Sequence, residues 1–125
     1  MDAWIALAAA AYDIGLGIFH VLFWRLFGWP GSLRSSGQVN AAITQTLNLM
    51  LSYSFFAFAA GLIVAATSDW QALPGLAGAG AGFWTIRAFL QPLLFGGRHP
   101  VSRWLTLLFL VGAMLHGGAI LQAVE

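Results

Sequence analysis

Asp13, His20, Gln45, Asn48, Arg87, Gln91 and His116 sit inside long apolar runs of this chain, and these are the side chains able to do chemistry there. An ionisable or amide group in such a run is costly to hold in a low-dielectric surrounding. It therefore marks a binding site, a proton path or a structural pair. Spacing sorts these residues onto helix faces. Asp13, Gly17, His20 and Trp24 follow i, i+4, i+7 and i+11, one stripe of an α-helix. Gln45, Asn48 and Ser52 make a second stripe, and Trp84, Arg87 and Gln91, within "FWTIRAFLQP", make a third. Each stripe is expected to face protein rather than lipid.

Depth along the helices narrows the chemistry. Counting from the helix ends beside the arginine-bearing loops, His20, Asn48 and Arg87 fall at about 10–12 Å, and Gln45 and Gln91 at about 6–8 Å. By the same count Asp13 and His116 lie deeper, at about 20–22 Å. Arg87, His20, Asn48, Gln91 and Gln45 are thus expected to line a polar pocket that opens toward the cytoplasm. There the guanidinium fork would hold a carboxylate, a phosphate or another polar head. A long side chain leans toward the N-terminus of its own helix, so Arg87 is also expected to reach Asp13. Asp13 with Arg87 or His116 is the candidate buried ion pair or proton site.

Other chemistries are less well served. A haem held by His20 and His116 is an alternative strained by the ~10 Å difference in their depths, and no cofactor is expected. The chain has no cysteine and no carboxylate beside His20, so no metal site is expected. No nucleophile stands at a catalytic spacing. The expected role is non-enzymatic: binding an amphipathic or anionic ligand such as a lipid or quinone, or serving as an accessory subunit of a membrane complex. A proton-coupled small-molecule transporter using Asp13 is the alternative. A lipid-modifying enzyme with His20 or Asp13 as acid and base is a further one.

The elements that position these groups follow from composition. The chain has 125 residues, 60% hydrophobic and only 7% charged, with mean hydropathy +0.83. A soluble domain carries roughly a quarter charged residues, so the bilayer must be the solvent. A net charge of +1 leaves no footprint for nucleic acid. Four apolar segments of membrane-crossing length are predicted, about 4–27, 40–66, 76–95 and 101–123, within a single membrane domain over 1–125. Their connections, "GWPGSLRSSGQ", "TSDWQALPG" and "GGRHP", are short, which predicts an all-α, up-down-up-down bundle of four transmembrane helices. The N-terminus carries an acid and no base before its apolar run, so it reads as a retained span rather than a signal peptide.

Charge sets the expected orientation. Arg25, Arg34, Arg98 and Arg103 flank the first and third connections, while the opposite side carries only Asp2, Asp69 and Glu125. The first and third loops are therefore expected in the cytoplasm and both termini on the outer, periplasmic side. Trp4, Trp29, Trp70 and Trp104 fall near the two interfaces, where amphipathic rings are favoured. Glycines at 78 and 82 have the GxxxG spacing, so the Gly75–Gly82 face is expected to make a close helix contact. That contact would lie within the chain, or with a second copy or a membrane-complex partner.

The segments "FHVLFWRLFGWPGSL", "NAAITQTLNL" and "FWTIRAFLQP" resemble a set of small four-helix bacterial membrane proteins. The resemblance implies a multi-pass protein of the bacterial inner membrane and brings no activity with it. A lone acid in the first helix, Asp13, is also similar to the small multidrug-resistance transporters, which use a membrane carboxylate as a proton and cation site. The one-sided arginine distribution and the presence of Arg87 depart from that pattern.

Overall fold

A computed structural model describes residues 3–125 of the chain, and the outer-side charge expected of Asp2 lies outside the described residues. The described residues are helical, without strands. The elements are α1 (Trp4–Val21), α2 (Phe23–Leu26), a 3₁₀ turn (Gly31–Ser36), α3 (Gln38–Ser68), α4 (Leu73–Phe95) and α5 (Pro100–Val124). Three of them, α1, α3 and α5, are long and apolar enough to cross a membrane. The 23 residues of α4 include Arg87, Gln91, Pro74, Pro92 and several glycines, and it is not among those three.

Element boundaries have local causes. The first apolar segment, expected to run unbroken to Phe27, is interrupted at Leu22. Its N–H is shared between the carbonyls of Ile18 and Phe19, and the chain resumes as the single turn of α2. Gly37, at φ +89°, takes the left-handed conformation that a side chain would disfavour, and it turns the chain into α3. α3 therefore starts at Gln38, ahead of the expected Asn40, whose side chain donates to the Ser36 carbonyl at 2.8 Å. Pro74 and Pro100 sit in the first turns of α4 and α5, where a missing N–H costs nothing. His99 caps α5, its Nδ1 accepting from the Val101 N–H at 3.2 Å.

Packing joins α1 to α3 and α5, and α4 to α5, along their lengths, while the α3–α4 seam is the sparsest of these contacts. The buried faces hold the helical period: Leu73, Ala77, Gly80, Trp84, Ala88 and Gln91 on α4, and Asn48, Ser52, Phe55, Ala59 and Leu62 on α3. Most of the buried apolar side chains are alanines, and many of the large ones lie outside. Ala6, Ala9, Ala77 and Ala119 are fully buried, whereas Ile86, Phe89, Leu93 and Met114 are more than half exposed. That inversion suits a lipid solvent, which gives no reward for hiding leucine and leaves close backbone approach as the source of cohesion.

The closest approaches occur at glycines. A Cβ at Gly112 would stand 2.7 Å from the Tyr12 ring, one at Gly17 would stand 2.8 Å from Phe56, and one at Gly80 would overlap the His116 imidazole. Gly75 and Gly82 have no such neighbour, so the expected small-residue face divides: Gly80 is buried inside while Gly75 and Gly82 lie open. Gly80→Ala and Gly112→Ala are each expected to destabilise by about 1–3 kcal/mol through overpacking. Gly82→Ala should be neutral or slightly stabilising, and the three can be ranked by unfolding in mixed micelles.

Candidate functional site

At mid-length of α1 the Asp13 side chain is 1% exposed and fully engaged. One carboxyl oxygen, Oδ1, accepts from the Trp84 indole N–H at 3.0 Å, and Oδ2 lies 3.0 Å from His116 Nε2. His116 Nδ1 is 2.7 Å from the Gly112 carbonyl. A carbonyl cannot donate, so Nδ1 must carry a hydrogen. A single further proton then lies between Nε2 and Oδ2, and wherever it sits the pair is neutral overall. One acid thus ties α1 to α4 and α5 in a layer between two apolar clusters. On one side are alanines and leucines including Ala10, Leu62 and Ala119. On the other are Leu16, Phe55, Trp84, Ala88 and Phe109.

Aromatic packing extends that layer. Trp84 is stacked between Phe55 (5.3 Å, 12°) and Phe109 (5.7 Å, 14°), with the Tyr12 ring edge-on at 5.1 Å. The Tyr12 hydroxyl donates to the Leu108 carbonyl at 2.7 Å. Offset and edge contacts of this kind orient the indole so that its N–H points at the acid. Trp84 was legible only as part of the Arg87 stripe. Its role as the donor to Asp13 came from no motif.

Arg87 does not reach Asp13, contrary to the expectation from side-chain lean. Its Nη2 donates to Gln91 Oε1 at 2.8 Å, and its guanidinium carbon lies 4.3 Å from the Phe109 ring centre and 5.7 Å from that of Phe95. Each Asp13 oxygen already has a partner, Trp84 or His116. The guanidinium instead runs toward the end of α4 along an aromatic surface, as snorkelling arginines do. From Gln91 the hydrogen bonds continue: Nε2 donates to Ser102 Oγ at 3.2 Å, and that hydroxyl donates to the Gly96 carbonyl at 2.6 Å.

The other polar residues pair elsewhere. Asn48 donates to the His20 carbonyl and its Oδ1 lies against His20 Nδ1, both at 2.7 Å. Trp24 donates to Gln45 at 3.0 Å. These bonds join α1 and α2 to α3, while Arg87, Gln91 and Ser102 join α4 to α5. The five residues expected to share one pocket, Arg87, His20, Asn48, Gln91 and Gln45, fall into two hydrogen-bonded sets, because each amide finds its partner on the adjacent helix. Both ring nitrogens of His116 are engaged, which leaves none for iron.

A cavity of about 230 Å³ opens at the sparse α3–α4 seam instead. Leu51, Ser54, Phe55 and Phe58 form its α3 wall; Ala79, Gly80, Phe83 and Trp84 form its α4 wall; Asp13 lies at its floor. Asp13 and Trp84 stood on the polar stripes and Ala79 and Gly80 on the small-residue face, but the sequence pattern did not mark the α3 wall or Phe83, since an aromatic run such as "YSFFAF" reads equally well as packing or lipid contact. The volume exceeds the ~150 Å³ of a benzene-sized apolar cavity and falls below the ~300 Å³ at which drug-sized pockets begin. It suits one ring or one head group.

No family model, curated protein or solved structure matches the chain. The site is therefore read from its own geometry.

Removing one partner of the buried pair, as in Asp13→Ala, is expected to cost about 3–5 kcal/mol. Because Arg87 bonds to Gln91 and not to Asp13, the double variant Asp13→Asn/Arg87→Met should be additive to within about 0.5 kcal/mol. Asp13→Asn combined with His116→Gln should not be additive. Unfolding free energies in mixed micelles distinguish the two cycles.

Proposed function

We propose that this chain is a small integral membrane protein that binds an amphipathic molecule, of the lipid or quinone kind, with its head in the α3–α4 cleft. In this reading α4 also crosses the bilayer, giving a four-span up-down-up-down bundle in a bacterial inner membrane. Both termini lie outside, and the Arg25, Arg34, Arg98 and Arg103 side faces the cytoplasm. The observation that carries the proposal is the cavity itself: about 230 Å³, walled by aromatic and small residues, with a buried carboxyl at its floor. A site of this composition receives an apolar body and fixes it with few polar contacts. Its lateral position gives access from the lipid phase. Asp13, as part of a neutral pair, orients the head without adding a lone charge.

The test is native mass spectrometry of gently purified protein. Ala79 is exposed on the cleft wall and is not packed into the core, so Ala79→Phe fills the cleft while leaving the fold. A co-purifying amphipath is expected on the wild type and is expected to be lost from Ala79→Phe, with helix content and monodispersity unchanged and the unfolding midpoint lowered only by the lost ligand. Retention of the same molecule by Ala79→Phe would falsify the proposal and turn the search to a protein partner, for which the chain would be an accessory subunit.

A second reading, an anionic head held at Arg87, is favoured by one specific observation. Among the described residues the guanidinium has one hydrogen-bond acceptor, Gln91, and no carboxylate within ion-pair distance. His20, Asn48 and Gln45 would flank that head from the α1–α3 side. Binding of phosphatidylglycerol over phosphatidylcholine should then fall several-fold in Arg87→Gln, while Ala79→Phe leaves it unchanged.

A further inference from the structure

We infer that the head group admitted to the α3–α4 cleft is a neutral hydroxyl on a single ring, a phenol or quinol rather than the corresponding ether or quinone. This inference rests on the cleft reading above.

Three features carry it. The first is an inventory of donors. Ser54 spends its hydroxyl hydrogen on the Met50 carbonyl at 2.8 Å. Trp84 directs its only N–H to Asp13. His116 Nδ1–H is held by the Gly112 carbonyl, and the remaining proton lies between Nε2 and Asp13 Oδ2. Whether that proton rests on the acid or on the imidazole, Asp13 offers the cleft only lone pairs. Every polar group at the cavity has its hydrogen committed and only lone pairs to spare, so a polar ligand can bond there only by donating.

The second feature is charge. The Asp13–His116 pair is neutral in either arrangement of its proton, so a cationic donor would add an uncompensated charge in an apolar site. Within α3 the only titratable side chain is Tyr53, which is exposed. On α4 the guanidinium of Arg87 is turned toward Gln91. Beside Asp13 on α1, the Tyr12 hydroxyl is bound to the Leu108 carbonyl. Among the described residues no anion beyond that internally balanced pair stands near the cavity to offset a cation, whereas a neutral hydroxyl needs none.

The third is shape. Phe55, Phe58, Phe83 and Trp84 wall a space of about 230 Å³. Aromatic walls at this volume fit one ring in offset or edge-on contact, with any tail passing out through the seam into lipid.

The probes are 4-propylphenol, its methyl ether and benzylammonium, titrated calorimetrically into the detergent-solubilised full chain. Ala79→Phe serves as the blank for micelle partitioning. The phenol should bind at least about tenfold tighter than the ether, the ratio one hydrogen bond to a buried acid supports. Binding enthalpy should be equal in buffers of different ionisation enthalpy, showing no net proton exchange. In Asp13→Asn the amide brings its own donor to the cleft, and the phenol-to-ether ratio should collapse toward one. Should that variant not fold, the wild-type ratio and its loss in Ala79→Phe still decide the matter.

Equal affinity for phenol and ether, no binding of either, or preferred binding of benzylammonium with proton release each overturns the inference. If a co-purifying amphipath leaves in Ala79→Phe while the ether matches the phenol, the cleft reading stands and the hydroxyl inference falls. If amphipath and phenol both persist in Ala79→Phe, both fall.

Discussion

A carboxyl group buried among apolar helices must have its oxygens satisfied or it expels itself, and much of this structure follows from how Asp13 meets that constraint. Trp84 and His116 approach it from two other helices. Their approach is possible only because Gly80 leaves room for the imidazole and Gly112 leaves room for the Tyr12 ring. The acid, the indole and the imidazole thus set the spacing of α1, α4 and α5 as much as the reverse. In a solvent that does not drive hydrophobic collapse, such a polar layer is an orienting element. It specifies which faces meet, while the alanine contacts on either side supply dispersion.

The polar residues nearer the arginine-bearing loops obey a different logic. Each amide there has a partner on the adjacent helix: His20 with Asn48, Trp24 with Gln45, Gln91 with Ser102. These bonds tie α1 and α2 to α3 and tie α4 to α5, and neither set ties α3 to α4. That seam is left to thin contact and carries the cavity. The opening is therefore a consequence of where the hydrogen bonds went. Two well-bonded pairs of helices meet at Asp13, with one seam between them unlaced.

Arg87 shows how a short-range rule yields to its surroundings. The side-chain lean of a helix points it toward Asp13, but each oxygen of the acid already has a partner on another helix. The guanidinium takes the other direction, against Phe109 and toward Gln91. Its displacement keeps the Asp13–His116 pair neutral and keeps a positive charge away from the cavity floor.

Sequence alone determined that the chain is helical and belongs in a bilayer, because composition and the length of apolar runs need no tertiary information. It also determined which residues are inward: the stripes at 13, 17 and 20, at 48 and 52, and at 84 and 91 are buried or half-buried as helical periodicity requires. The apolar runs placed the starts of the last three long helices at about 40, 76 and 101, a few residues after the observed starts at Gln38, Leu73 and Pro100. Only the tertiary structure decided partnership. Depth counting placed His20, Asn48 and Arg87 at one level, but level says nothing about rotation, and a hydrogen bond needs both. Which donor reached Asp13, which glycine admitted His116, and which seam stayed open depended on the relative rotation of four helices, a quantity no single helix encodes.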